Sequence, residues 1–332
     1  VQIGEERDKL WANFSYRRRK TLLLDFKTGV RQAYERIQPD ILRTPLEFSQ
    51  ALSELSDARV YVKWENRQFS GSFKFRGALN KLRTLTAQER KRGVVSASTG
   101  NHGLGLSLAA EKERLRLTLV LPAGVSSWKK KRLQGFAVTL LEYGQSCEKA
   151  ELFARELAIR ENKVFVSPYS DPEVILGQGT IGLELVEELG EVERVLIPVG
   201  GGGLAAGIAG YLKALCPGVQ VFGVEPRHSA FMAASLQAGK IVEIEERSTI
   251  ADAVAGGIEP GSITFPLCQQ LLDGIILVEE ESIALAMSLL WESHHQVIEG
   301  AGALALAGLL TEKERFWGCQ TILIASGGNR PA

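Results

Sequence analysis

Residues 192–215, VERVLIPVGGGGLAAGIAGYLKAL, carry the pattern that decides the fold. The β-rich run Val192 to Val199 stops at Gly200, Gly201, Gly202 and Gly203, and a helical pattern follows to about Leu215. A strand, a glycine turn and a helix make half of a βαβ unit. The same order recurs in both directions. Val94-Val95-Ser96-Ala97 leads through Thr99-Gly100-Asn101-His102-Gly103 into a helix reaching Ala110. Further strands are predicted at Leu115 to Leu121, Val138 to Leu141 (then a helix around 146–160), Lys163 to Val166, Val219 to Val224 and Thr321 to Ala325. The implied class is α/β, with largely parallel sheets covered by helices. Ligands in such folds sit beyond the carboxyl ends of the strands, where these glycine turns fall.

Four successive glycines let several backbone N–H groups turn toward one anion, and the helix that follows adds favourable dipole charge. Pro198 to Leu204 contains no Lys or Arg, so such a site would rest on neutral donors. The run lacks the Gly-x-Gly-x-x-Gly spacing with a following acidic residue that dinucleotide sites use. It also lacks the Lys-Ser or Lys-Thr of a nucleotide P-loop. A nucleotide-binding oxidoreductase is therefore disfavoured, and phosphate binding is preferred over a close-packed turn.

A second segment, Ser70-Gly71-Ser72-Phe73-Lys74-Phe75-Arg76-Gly77-Ala78, precedes a helix predicted over Leu79 to Leu85, which Ser72 is placed to cap. Two phenylalanines flank Lys74. Apolar surroundings favour the neutral amine, which is the nucleophilic form. By its segment alone, Lys74 reads equally as a solvated surface charge.

Bulk composition narrows the partners. Lys plus Arg and Asp plus Glu both number 39 in 332 residues, so net charge points to neither nucleic acid nor an anionic membrane. No uninterrupted apolar run is long enough to span a bilayer. Cys147, Cys216, Cys268 and Cys319 form no CxxC pair; free thiols and a cytoplasmic location are expected. The arginine-rich stretch around Arg17-Arg18-Arg19-Lys20 reads as a solvated helix or tail rather than a targeting signal.

Taken together, three segments resemble the serine/threonine dehydratases, a branch of the fold-type II pyridoxal-phosphate (PLP) enzymes that includes serine racemase. They are Ser72 to Ala78, Ser98 to Gly103 and Gly200 to Gly203. Supporting matches run in family order from about residue 30 to 330: Arg43-Thr44-Pro45-Leu46, Gly177-Gln178-Gly179-Thr180, Gly223-Val224-Glu225-Pro226, Ile250-Ala251-Asp252, Glu299-Gly300-Ala301-Gly302-Ala303 and Ser326-Gly327-Gly328-Asn329. The resemblance implies a tryptophan-synthase-β-like fold with two open, twisted, mostly parallel sheets. It implies an N-terminal extension over 1–28, a large PLP-binding domain from 29–92 and 169–332, and a small inserted domain over 93–168. PLP would form a Schiff base with Lys74, which would also move the Cα proton. Phe73 would pack on the ring, Asn101 would bond the 3-hydroxyl, and Gly200 to Gly203 with Leu204 would hold the phosphate. Ser326 would face the ring nitrogen. Ser98, Thr99, Gly100, Asn101 and His102 would hold the substrate carboxylate, with Tyr169 bordering the side-chain pocket. A small amino-acid substrate and a homodimer are further implications.

The implied activity is an ammonia-lyase removing water from a serine- or threonine-like β-hydroxy amino acid. A hydroxyl at Ser326 supports a weaker electron sink than a carboxylate would, which suits β-elimination better than transamination. A racemase on the same scaffold is the alternative, with Thr99 as the opposite-face acid/base. A non-enzymatic PLP binder would leave the carboxylate loop superfluous. Departures from the family pattern bear on details. Phe231 stands six residues after Glu225, where related metal sites have Asp; phenylalanine cannot ligate a hard cation, so no metal is expected there. Ser167-Pro168-Tyr169 and Ala251-Asp252-Ala253 also differ from common relatives and suggest a side branch with its own substrate. The given sequence extends only six residues past Ser326, so no regulatory domain and no end-product feedback are expected.

Overall fold

Alternating apolar runs and glycine turns produce two parallel sheets in a computed structural model that describes residues 24–330. In chain order the strands are β1 Leu46–Phe48, β2 Arg59–Trp64, β3 Val94–Ala97, β4 Leu117–Leu121, β5 Thr139–Glu142, β6 Val164–Phe165, β7 Arg194–Pro198, β8 Gln220–Pro226, β9 Gly274–Val278 and β10 Gln320–Ala325. The larger sheet has the order β1-β2-β10-β7-β8-β9 and the smaller β5-β4-β3-β6. Only the β1–β2 pair is antiparallel. The helices are α1 Phe26–Ile37, α2 Gln50–Ser56, α3 Lys74–Arg83, α4 Ala87–Arg92, α5 Asn101–Lys112, α6 Ser127–Gln134, α7 Cys147–Arg160, α8 Pro172–Leu189, α9 Gly203–Leu215, α10 Phe231–Ala238, α11 Thr264–Leu271, α12 Glu280–His294 and α13 Gly300–Thr311. This is the α/β architecture of a fold-type II PLP enzyme, two sheets flanked by helices.

β4 is buried at every position and β7 at all but its first. Parallel strands covered on both faces need continuous apolar runs, which is why these two are legible in the sequence. The cluster Arg17 to Lys20 lies outside the described residues. The first described helix is α1, where Phe26 packs over Gly210 so closely that a Cβ there would meet its ring at 2.4 Å. No described helix is long and apolar enough to cross a membrane.

α8 sets the geometry of the site. Asp171 caps it, accepting from the N–H groups of Glu173 and Val174, and Pro172 opens it. Its glycines let two other helices approach at backbone contact. A Cβ on Gly177 would meet Gly77 Cα of α3 at 2.6 Å, and a Cβ on Gly207 of α9 would meet Ile175 O at 2.4 Å. The helix bearing Lys74 and the helix opened by the glycine run are thus docked on one support.

A buried ion cluster completes the docking. Arg76 and Lys63 are fully buried, with Glu65 and Glu184. Arg76 meets Glu184 at 2.6 Å and Glu65 at 2.8 Å; Lys63 meets Glu184 at 2.8 Å and Thr44 O at 2.6 Å. Thr44 Oγ1 donates to Glu65 at 2.5 Å. β2, α3 and α8 are tied together by these groups. β2 and β9 escaped the sequence reading, as did β1. In β2, Arg59 and Lys63 break the apolar run, yet Lys63 points into this cluster.

Candidate active site

Helix α3 begins at Lys74 rather than at Leu79. Ser72 does not cap it: no side chain caps this helix, and the Ser72 hydroxyl is buried without a partner. The start is set by backbone instead. Phe73 N–H donates to Ser326 O at 3.1 Å, and Ser72 bridges to Gly327. The tertiary pairing of residues 72–73 with 326–327 therefore brings the lysine segment against the chain's C-terminal motif.

An open cavity of about 450 Å³ lies there, at the carboxyl ends of the larger sheet's strands. Phe73, Lys74, Asn101, Tyr169, Gly200 to Leu204 and Ser326 all line it. Lys74 Nζ donates to Pro168 O at 2.9 Å and stands 5.0 Å from the Phe73 ring centroid. Burial pushes its pKa down to about 8, with Glu299 opposing. The glycine run wraps the other end. Gly202, with φ of +84°, takes the turn into α9. Ala206 N–H closes onto Gly202 O at 2.9 Å, so the N–H groups of Gly203, Leu204 and Ala205 begin the helix without an intrahelical acceptor. An anion is the natural partner of such a helix start.

The loop has no room for side chains. A Cβ on Gly200 would meet Val254 O at 2.7 Å, and one on Gly201 would meet the Tyr169 ring at 2.4 Å. Tyr169 packs on this loop, its hydroxyl accepting from Glu259 N–H at 2.9 Å. Gly201→Ala is expected to weaken PLP binding by about tenfold or more, the effect of 1–3 kcal/mol of overpacking. Titrating the apoprotein with PLP checks this; native affinity would refute the cradle.

Four of the residues expected around the substrate do not line the cavity: Ser98, Thr99, Gly100 and His102. The first three are half-buried in the turn between β3 and α5. His102 is only 4% exposed, with Nε2 3.0 Å from Ser96 Oγ. Ser96 Oγ donates its proton to Val166 O, so His102 Nε2–H is the donor in that contact. Burial, then the Lys74 charge, holds its pKa down to about 3. His102 is a neutral core residue here, because the first turn of α5 directs this position toward β3.

Glu299 lines the cavity, although its role was not foreseen in its matched segment. It accepts from Asn101 Nδ2 at 2.5 Å, and burial raises its pKa to about 7. A carboxylate preceding a glycine helix start, Glu299-Gly300-Ala301-Gly302, was the available signal. Ala253 and Val254 also line the cavity. Glu225 faces elsewhere: its two oxygens accept from Met232 and Ala233 N–H at 3.0 and 2.8 Å, anchoring the start of α10. Among the described residues no group of three or more His, Cys, Asp or Glu is arranged to hold a metal.

Comparison with known proteins agrees with this geometry. The chain is 39% identical over 302 residues to a putative threonine dehydratase of Sinorhizobium fredii, covering 91% of each. It is 39% identical over 300 residues to the L-threonine ammonia-lyase of Thermotoga maritima, covering 90% of this chain and 74% of that one. Its structure is similar to that of maize serine racemase, with TM-score 0.88, 30% identity, and 92% and 94% of the two chains covered. A glycine loop that tolerates no Cβ, a bare helix start and a buried lysine of lowered basicity suit a phosphorylated aldehyde. With residues 37–327 matching the family, the chain belongs to the pyridoxal-phosphate dependent enzymes and takes PLP as its cofactor.

Proposed function

We propose that this enzyme is an ammonia-lyase converting a serine- or threonine-like β-hydroxy amino acid to a 2-oxo acid and ammonia. The observation that carries the proposal is the pairing, in one cavity, of a buried lysine amine with a neutral serine hydroxyl, Lys74 with Ser326. The names of the two relatives at 39% identity support the same chemistry.

The bound cofactor supplies an electron sink for charge developing at Cα. Gly200 to Leu204 would hold its phosphate through N–H groups, with Phe73 beside its ring and Asn101 near its 3-hydroxyl. Lys74 would hold the cofactor covalently between turnovers. Its free amine would take the Cα proton and return that proton to the departing β-hydroxyl, which would leave as water. The released enamine takes up one water and loses ammonia, so the net reaction consumes none. Ser326 Oγ reaches Ala301 O only at 3.5 Å, the limit of a hydrogen bond, which leaves it able to serve the ring nitrogen as a neutral partner. The β3–α5 turn, Ser98 to Gly100, does not line the cavity but adjoins Asn101, which does; to hold the substrate carboxylate it would have to turn its N–H groups inward, Gly100 N–H giving up its present bond to Ser98 Oγ.

The racemase alternative requires Thr99 to deliver a proton to the opposite face of Cα. Incubating the holoenzyme with L-serine, L-threonine, hydroxyaspartate and phenylserine, in D₂O, separates the two. A 2-oxo acid with stoichiometric ammonia is expected. Cα-deuterated D-amino acid without 2-oxo acid would replace the lyase with the racemase, and no product from a broad panel would sink both.

A further inference from the structure

Asn101 sits in a chain of hydrogen bonds that runs from the protein surface to the cavity. Arg132 on α6 donates to Asn329 Oδ1 at 2.7 Å. Asn329 Nδ2 donates both to Ser70 O at 2.8 Å and to Asn101 Oδ1 at 2.7 Å. Asn101 Nδ2 donates to Glu299 Oε1 at 2.5 Å. The direction of this chain is determined at three points. A guanidinium can only donate, so the atom facing it must be the Asn329 oxygen. A backbone carbonyl can only accept, so the Asn329 nitrogen must face Ser70. Asn101 must then present its oxygen to Asn329 and its nitrogen to Glu299. One N–H of Asn101 is used by Glu299, and the other is left for the cavity that Asn101 lines.

The packing supports the same alignment. A Cβ on Gly327 would meet Glu299 Oε1 at 2.3 Å and Asn101 Nδ2 at 3.1 Å, so a residue without a side chain lies against the Asn101–Glu299 bond. Arg132 belongs to the segment carrying the smaller sheet, whereas Asn329 follows β10 of the larger one. The chain of bonds therefore requires the two sheets to hold their present spacing at the mouth of the cavity.

We propose that Arg132 is a positioning residue, which acts through Asn329 to orient the Asn101 amide between Glu299 and the cofactor. This rests on the reading of Asn101 as a contact of the cofactor's 3-hydroxyl. The charged groups acting on Glu299 are Lys74 on α3, Lys129 and Arg132 on α6, and Asp252 in the 239–263 segment. Lys129 is itself paired with Asp252 at 3.0 Å. Burial raises the Glu299 pKa, and Arg132 is among the groups that draw it back down. Losing Arg132 should therefore move Glu299 further up.

The test titrates apoenzyme with PLP across pH 6–9 and reads cofactor affinity from absorbance. It requires no turnover, so it stands whether or not the lyase reading does. Native protein is expected to bind more tightly above an inflection set by Glu299. Arg132→Met should move that inflection to higher pH by several tenths of a unit and lower affinity on its acid side by about three- to tenfold, the size of one hydrogen bond. Arg132→Lys, which keeps a cation and a donor, should recover most of the loss. In a Glu299→Gln background only the dependence set by Lys74, at about 8, should remain, and Arg132→Met should not move it. Thermal unfolding of Arg132→Met should match native protein, because the side chain is exposed. An unchanged inflection in Arg132→Met overturns the proposal. So does an equal effect with Glu299 replaced, which would make the role of Arg132 merely structural.

Discussion

Lys74→Ala is expected to abolish covalent cofactor attachment, seen as loss of the visible absorbance of the bound cofactor, and to lower elimination by about 10³-fold or more. Two roles are lost together. The amine proposed to tether PLP is also the group proposed to take the Cα proton. The fold should survive, because the half-buried lysine makes one hydrogen bond, to Pro168 O, and its removal relieves desolvation of the amine. Far-UV circular dichroism and thermal unfolding would check this. An active Lys74→Ala variant would overturn the mechanism. A pH dependence follows from the same burial. Only the neutral amine attacks the cofactor aldehyde. With its pKa lowered from 10.5 to about 8, the neutral fraction grows with pH and levels off above about 8. The rate of PLP capture by apoenzyme should follow that curve. A rate still climbing steeply at pH 10 would show an ordinary lysine.

Arg76→Met is expected to cost about 3–5 kcal/mol of stability, measured by urea unfolding. The reason is the company it keeps. Removing the guanidinium leaves Glu65 and Glu184 buried, with Lys63 alone to compensate. Replacing the whole cluster by apolar residues should cost less, since desolvation then disappears together with the attraction. Burial opposes the Arg76 charge, but Glu65 and Glu184 outweigh it and keep the guanidinium protonated. Burial likewise works against the Glu184 carboxylate, and Arg76 and Lys63 outweigh it, so its pKa is lowered. The sign for stability follows. The contribution is complete above the unfolded carboxylate value and is lost as pH falls through the lower folded one. Arg76 is two residues from Lys74, so the same change should loosen the helix that presents the amine.

How far the site was legible depended on the kind of contact. Gly200 to Gly203 were readable because a strand–glycine–helix run is local and its steric demand is visible in residue type. Lys74 alone was ambiguous; its segment became informative only beside the other motifs. His102 misled, because a polar residue in a glycine turn reads as a ligand, whereas the helix that starts there turns it onto Ser96. Tyr169, expected at the border of the side-chain pocket, does line the cavity; its ring packs on Gly201 and its hydroxyl accepts from Glu259 N–H.

The sequence by itself determined the α/β class and most of the parallel strands, and it pointed to the groups proposed to anchor the cofactor. Buried parallel strands must be continuously apolar, and anion-binding helix starts must be free of side chains, so both leave local marks. Only the tertiary structure decided that Glu299 meets Asn101 across 198 residues, that Lys63 and Arg76 are buried with their glutamates, and that Phe73 is pinned to Ser326. Charged residues look alike in sequence whether they face water or each other; their meaning depends on which distant partner the fold delivers. For the glycine run, the structure added the neighbours: Val254 and Tyr169 close over it, which is why no position in it can carry a side chain.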